Sequence, residues 1–329
     1  MTGQLTRTRT SARRGAMAMG TALVVSLVAA CSSPAPSSGT PSAGGPAPTT
    51  GAVGAGDVAA IDQILAKAPV APASAIPAGT LMDQIKKRGE LKVGGTDTGP
   101  LFSLRNPVTG KLTGFDADLS QMLAKYIIGA PKTALSQTSV DTREAMLQNG
   151  SVDTVFATYT ITPKRAQKVD FAGPYYASGD AILVRKSNTD ISKVGDLNGK
   201  TVATEGNSTA ATAIATFAPK AKVLLFQTND ECVQAVRQGR ADAYVLDQGI
   251  LIGAAAKNPE VKVVGSPFTT EPYGIGVPKN HPEMKKFVND WLKQIEASGL
   301  WAQLWKATIG TVVSGSAPQP PVIGSVPGS

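Results

Sequence analysis

Apolar runs of strand length recur along the chain and alternate with stretches of helical period. LKVGG (91–95), VDTVFA (152–157), AILV (181–184), TVAT (201–204), VLLF (223–226), DAYVL (242–246) and VKVVG (261–265) read as strands. Between them, FDADLSQMLAKYII brings Phe115, Leu119, Met122, Leu123, Tyr126 and Ile127 onto one helical face. HPEMKKFVNDWLKQI does the same with Met284, Phe287, Val288, Trp291, Leu292 and Ile295, and Trp301, Leu304 and Trp305 follow in a shorter helix. These stripes are core. Strands alternating with helices predict an α/β fold with mainly parallel sheets. In such sheets ligands bind beyond the carboxyl ends of the strands. The loops to inspect therefore follow Gly95, Ala157, Thr204 and Leu246.

The two ends of the chain lack this pattern. Arg7, Arg9, Arg13 and Arg14 precede an apolar run from Ala16 to Ala30, too short for a membrane span and typical of an export signal. The run ends Val28-Ala29-Ala30-Cys31, which resembles a bacterial lipobox with Cys31 as the lipid-modified first residue. Residues 1–30 are then a signal peptide, and the product is exported and lipid-anchored at the outer face of the cytoplasmic membrane. Residues 31–78, dominated at first by Ser, Pro, Gly, Ala and Thr, are expected to form a flexible tether. The Pro/Gly/Ser-rich residues 311–329 are expected to be a disordered tail.

Removal of the four signal arginines lowers the net charge from +8 to about +4. No basic block with interleaved aromatics remains, so nucleic acid is not an expected partner. Cys232 would be the one other cysteine of the processed chain, and its place in ECVQAV predicts a buried thiol. No cofactor or metal is implied.

The loops carry polar residues of useful type. TDTGPLFSLRNP offers Asp97 as an acceptor and Phe102 as a wall, although the segment taken alone favours a plain turn over a buried phenylalanine. In ATYTITPKRAQ, Thr158 and Thr160 face one way if the chain is extended. Thr162 and Pro163 then start a helix whose first turn contains Arg165. A cation is disfavoured there by the helix dipole, so Arg165 calls for an anionic partner, either Asp170 or a ligand carboxylate. Arg143 repeats this oddity at another helix start. In EGNSTAATAIATF, Ser208 or Thr209 caps a helix whose free N–H groups suit an anion. Asp247, at the end of a strand, either receives an ammonium group or caps the next helix.

The segments REAMLQNGSVDTVFATYTITPKRAQKVDFAGPYYASGDAILV, AVRQGRADAYVLDQ and EPYGIGVPKN resemble the polar amino acid substrate-binding proteins of ABC importers. The resemblance covers residues 81–309. It implies a two-lobed periplasmic-binding-protein fold, each lobe a mainly parallel sheet flanked by helices, with two crossings between lobes. Lobe 1 would comprise residues 79–177 plus 271–310, and lobe 2 residues 178–270. By the same resemblance Arg165 holds the ligand α-carboxylate with Thr160 and the backbone at Ser208 and Thr209, and Asp247 takes the α-ammonium. Thr158 adds a contact through its carbonyl, Asp97 and Phe102 form rim and wall, and Arg143 meets a side-chain carboxylate. Glutamate or aspartate is the expected ligand, with asparagine and glutamine next. The expected partner is a membrane permease, served by a monomer.

Two features depart from that pattern. Val140 stands where glutamine- and basic-amino-acid-binding relatives often place an aromatic against the ligand, which disfavours arginine and lysine. Ala203 stands where some relatives have a cysteine, so Cys232 has no bridge partner there. An amino-acid sensor is the rival role, because it uses the same closed lobes. An enzyme on this fold, such as a dehydratase, is disfavoured because His281 is the only histidine and no catalytic triad or metal cluster stands out.

Overall fold

The computed structural model describes residues 56–329. The expected signal peptide, Cys31 and the first part of the expected tether lie outside the described residues. Helix α1 (Val58–Lys67) is followed by α2 (Leu81–Arg88), β1 (Leu91–Gly95), β2 (Thr98–Gly99), β3 (Ser103–Arg105) and β4 (Leu112–Thr113). Next come α3 (Phe115–Ile128), β5 (Thr133–Gln137), α4 (Arg143–Gln148), β6 (Thr154–Val155), α5 (Pro163–Ala166) and β7 (Asp170–Ser178). A second series runs β8 (Asp180–Arg185), β9 (Thr201–Glu205), α6 (Thr209–Phe217), β10 (Lys222–Phe226), α7 (Asn229–Arg237), β11 (Ala243–Asp247), α8 (Gln248–Lys257) and β12 (Val261–Val264). The chain then returns through β13 (Glu271–Val277), α9 (Pro282–Ala297) and α10 (Leu300–Ala307).

Two five-stranded sheets result, ordered β5-β1-β6-β13-β7 and β10-β9-β11-β8-β12. Each runs mainly one way and contains one reversed strand. In the first sheet β13 pairs antiparallel with both β6 and β7, and in the second β8 pairs antiparallel with both β11 and β12. The reversed strands are those that enter straight after a crossing from the other sheet. The two crossings run side by side: Asp180 N–H donates to Thr269 Oγ1 at 2.8 Å, and Phe268 N–H donates to Asp180 O at 2.9 Å. Gly179 is required at this approach, because a Cβ there would lie 2.3 Å from Thr269 O.

The predicted apolar stripes are buried. Phe115, Leu119, Met122, Leu123 and Ile127 of α3 pack in the same cluster as Met284, Val288, Trp291, Leu292 and Ile295 of α9, and Trp301 of α10 joins them. Trp301 is also satisfied, its Nε1–H donating to Tyr175 O at 2.9 Å.

Both expected disordered segments need correction. The tether does not reach residue 78, because Val58, Ile61, Ile64 and Leu65 recur at helical spacing behind an Asp57 cap and form α1. Ile61, Ile64 and Leu65 are buried, and Asp57 N–H donates to Ala307 O at 2.7 Å. Composition hid that period. Residues 312–329 have no regular structure but lie against the first sheet, where Gly324 N–H donates to Gly173 O at 2.9 Å. Ile323 and Val326 pack on apolar clusters, so the Pro/Gly content makes this segment irregular rather than unattached.

Candidate ligand-binding site

A cavity of about 160 Å³ opens between the two sheets, at the ends of β9 and β11 and beside the loop that follows β6. A liquid water occupies about 30 Å³, so this is room for a small molecule rather than a peptide.

The wall on the side of the first sheet is made by Arg143, Ala157, Thr158, Thr160 and Arg165. The loop bearing most of them is held on both flanks. Ile161 N–H donates to Pro272 O at 2.8 Å, and Gly274 N–H donates to Tyr159 O at 2.9 Å. Thr158 sits in the left-handed region at φ 43°, a conformation that costs a threonine energy. The buried carboxylate of Asp116 holds it there, accepting from Thr158 N–H at 2.7 Å and from the Tyr175 hydroxyl at 2.7 Å. Asp116 is a positioning residue that the sequence reading passed over.

Arg165 lies in α5, capped by Thr162, whose Oγ1 accepts from Arg165 N–H at 3.2 Å. The helix is a single four-residue turn, so the dipole objection to a cation there falls away. The guanidinium is buried. Its Nη1 donates to Thr160 O at 2.9 Å, and its Nη2 reaches across to Asn207 O at 3.3 Å. Asn207 in turn contacts the Asp141 carboxylate, a second link between the two walls. Arg143 heads α4, with its guanidinium 3.8 Å above the centre of the Tyr159 ring. Its Nη1 donates to Ala157 O at 3.0 Å, and its Nε is buried without a partner. Burial, with Arg165 beside it, pulls Arg143 down to about 9. Burial also lowers Arg165.

The opposite wall carries the acids. Asp247 ends β11 and is the N-cap residue of α8, yet its side chain makes no capping bond, which disposes of the capping alternative. It lines the cavity with Oδ1 buried and unpartnered. Burial raises its carboxyl to about 7; the Tyr273 hydroxyl opposes this and Glu271 adds to it. Ser208 caps α6, its Oγ accepting from Ala211 N–H at 3.1 Å. It lines the cavity with Thr209.

Seven of the nine expected contact residues therefore meet at one cavity: Arg143, Thr158, Thr160, Arg165, Ser208, Thr209 and Asp247. The other two do not reach it. The Asp97 carboxylate turns aside to accept from Arg105 Nε at 2.9 Å, and its neighbours Thr96 and Thr98 line the cavity in its place. Phe102 is buried edge-on against Tyr176 and Tyr273, with ring centroids 5.6 and 5.8 Å away, and belongs to the core. Val140 lines the cavity as expected. Beyond Thr96 and Thr98, further lining residues were not expected, among them Gln137, Gln227, Asn229 and one charged group, Glu205, the last residue of β9. The signal was present as the acid that follows the apolar run TVAT.

Among the described residues, no ion pair involves Arg143, Arg165, Asp247 or Glu205. Burying charge without an ion-pair partner is costly, so the buried Arg143, Arg165 and Asp247, with the half-buried Glu205 beside them, suit a charged visitor. Arginines on one wall and acids on the other suit a zwitterion. Other chemistry is not evident: His281 contacts Glu283 at 3.0 Å outside this cavity, and Cys232 is a buried free thiol pushed up by burial. Among the described residues no group of His, Cys, Asp or Glu is arranged for a metal, and no helix is long and apolar enough to cross a membrane.

The chain is similar in sequence and fold to known proteins. Residues 91–311 match the bacterial extracellular solute-binding proteins, family 3. The chain is 39% identical over 217 residues to the ABC transporter glutamine-binding protein GlnH of Bacillus subtilis, covering 65% of this chain and 78% of that one. It is 32% identical over 236 residues to the glutamate-binding protein GluB of Corynebacterium efficiens, covering 68% and 80%. Among solved structures, the ancestral amino acid-binding protein AncCDT-1, a precursor of cyclohexadienyl dehydratase, is 39% identical with a TM-score of 0.65, covering 70% of this chain and all of that one. The two curated relatives are substrate-binding proteins, not enzymes. The two-lobed fold, the charged cavity between the lobes and these matches have one reading: the chain belongs to family 3 of the bacterial extracellular solute-binding proteins.

Proposed function

We propose that the protein captures a polar amino acid by closing its lobes around it and delivers it to the membrane permease of an ABC importer. The observation that carries this reading is the facing of Arg165 and Asp247, buried and without ion-pair partners, across one cavity. Arg165 holds the α-carboxylate, helped by Thr160 and by the N–H groups at the start of α6. Asp247 receives the α-ammonium, and the Thr158 carbonyl adds an acceptor. Arg143 reads the far end of the side chain, which selects glutamate, aspartate or their amides. Closure follows from binding, because ligand contacts with both walls exist only in the closed state. Residues 79–177 with 271–310 form one moving lobe, and residues 178–270 form the other.

The export signal and Cys31 complete the proposal by anchoring the protein through lipid at the outer face of the membrane. Loss of palmitate labelling in a Cys31→Ala chain is the expected check. Capture itself is tested by thermal denaturation against each of the twenty amino acids. A ligand at a hundred times its dissociation constant stabilises by about 2.7 kcal/mol, which shifts the melting temperature of a domain of this size by a few degrees. A polar amino acid should give that shift; a flat response to all twenty would defeat the reading.

A further inference from the structure

We propose that Glu205, acting with Arg143, makes the side-chain end of the cavity select a carboxamide, so that glutamine or asparagine is preferred over glutamate or aspartate. The inference rests on the binding mode above, in which Arg165 and Asp247 are taken up by the ligand α-groups.

Glu205 closes β9, and the turn that follows fixes its backbone, its carbonyl accepting from Ser208 Oγ at 2.7 Å. Its side chain is half-buried against the cavity and makes no hydrogen bond or ion pair among the described residues. The charges that act on it are Arg143, which favours its ionised form, and Asp247 and Glu231, which oppose it. Burial is the largest influence and holds its proton to about 7. Arg143 is in the matching condition, a buried cation with its Nε unpartnered and, among the described residues, no carboxylate within ion-pair distance, although it feels Glu205 and Asp247 electrostatically. Among the polar residues of the lining, which also include Gln137, Gln227 and Asn229, the charged groups that remain for a ligand side chain are therefore one donor, Arg143, and one acceptor, Glu205.

Three kinds of side chain can be ranked against that pair. A carboxylate satisfies Arg143 but brings a second negative charge towards Glu205 in a water-poor space, where like charges repel strongly. A cation satisfies Glu205 and meets the same objection at Arg143. A carboxamide turns its oxygen to Arg143 and its N–H₂ to Glu205, satisfying both and adding no charge. With two arginines and two acids around the cavity, a ligand of zero net charge also leaves the closed site neutral. Arg143 taken alone favours an acidic ligand, and Glu205 reverses that preference.

The test is titration calorimetry at pH 8 with glutamine, glutamate, asparagine and aspartate, on the wild-type chain, on Glu205→Gln and on Glu205→Ser. Wild type should bind the better amide at least about tenfold more tightly than its acid, since like-charge juxtaposition carries a large cost. Both variants should lose that discrimination, chiefly through tighter binding of the acid. A wild-type preference for the acid, or an amide-to-acid ratio unchanged in both variants, overturns the proposal. Failure of every ligand to bind wild type would instead remove the capture reading, and the two failures are distinct.

Discussion

Arg165→Ala should weaken amino-acid binding by a factor between about 30 and several thousand. Truncating one partner of a desolvated, hydrogen-bonded charge pair costs about 2–5 kcal/mol, and each 1.4 kcal/mol is tenfold in affinity. Arg165 sits at the upper end of that range for a geometric reason. Its Nη1 is already aimed by Thr160 O on its own wall, so the guanidinium is oriented before the ligand arrives. Arg165→Lys keeps the charge and loses the fork, and should fall between alanine and wild type. The unliganded protein, in contrast, should lose little stability in Arg165→Ala. The side chain it removes is a buried cation with no ion-pair partner among the described residues. Calorimetry of the three chains, with thermal denaturation of each without ligand, separates the two effects. Wild-type affinity in Arg165→Ala would remove the α-carboxylate assignment.

Asp247→Asn should nearly abolish binding and at the same time stabilise the unliganded protein at alkaline pH. Burial raises the Asp247 carboxyl from its ordinary 3.8 to about 7. The folded state therefore holds this proton more tightly than the unfolded chain does. The sign follows from linkage: stability gained by protonating Asp247 is fully present below about pH 4 and is lost as pH rises through 7. Asp180, opposite Asp247 in the β8–β11 register, is raised by burial and then by Asp247 and Glu271, and adds in the same direction. Wild type should thus be more stable to urea at pH 5.5 than at pH 8, and Asp247→Asn should flatten that difference mainly by rising at pH 8. Ligand binding has the opposite dependence. An ammonium needs the ionised carboxylate, so affinity should fall as pH drops below about 7, with proton release on binding visible as a buffer-dependent enthalpy. A steeper pH profile in Asp247→Asn than in wild type would contradict this.

Much of the scaffold was legible because its strands are short apolar runs and its helices keep a strict stripe. Six of the seven predicted runs became strands within a residue or two of the expected ends, while the seventh, VDTVFA, keeps only Thr154–Val155 in the ladder. The strands that escaped notice do not look like strands. DFAGPYYAS and EPYGIGV are interrupted by proline and glycine, and TALSQ is polar and only half-buried at a sheet edge. Their β-structure is imposed by long-range pairing, such as the β7–β13 ladder, which local composition does not encode. Helix α1 lies in an alanine-rich segment whose composition masks the helical period of Val58, Ile61, Ile64 and Leu65.

The site divided along the same line. Arg165, Arg143 and Asp247 could be placed because each is a charge in a position where local structure gives it no reason to be. Glu205 was passed over because an acid beside a Gly-Asn turn is unremarkable until the fold turns it to face Arg143 across a cavity. Asp97 and Phe102 were misplaced because a loop of this kind fixes neither side-chain direction nor register, and Arg105 captures the aspartate.

The central claim is that both α-groups of a free amino acid are recognised, by Arg165 and Asp247 together. The most direct test is calorimetric titration of the wild-type chain with its best amino acid, with the α-carboxamide of that amino acid and with its N-acetyl derivative. The free amino acid should bind, and each blocked form should bind at least about a hundredfold more weakly, because each leaves one buried charge without its partner. Equal affinity for either blocked form would contradict the assignment of the corresponding residue, and equal affinity for both would contradict the account.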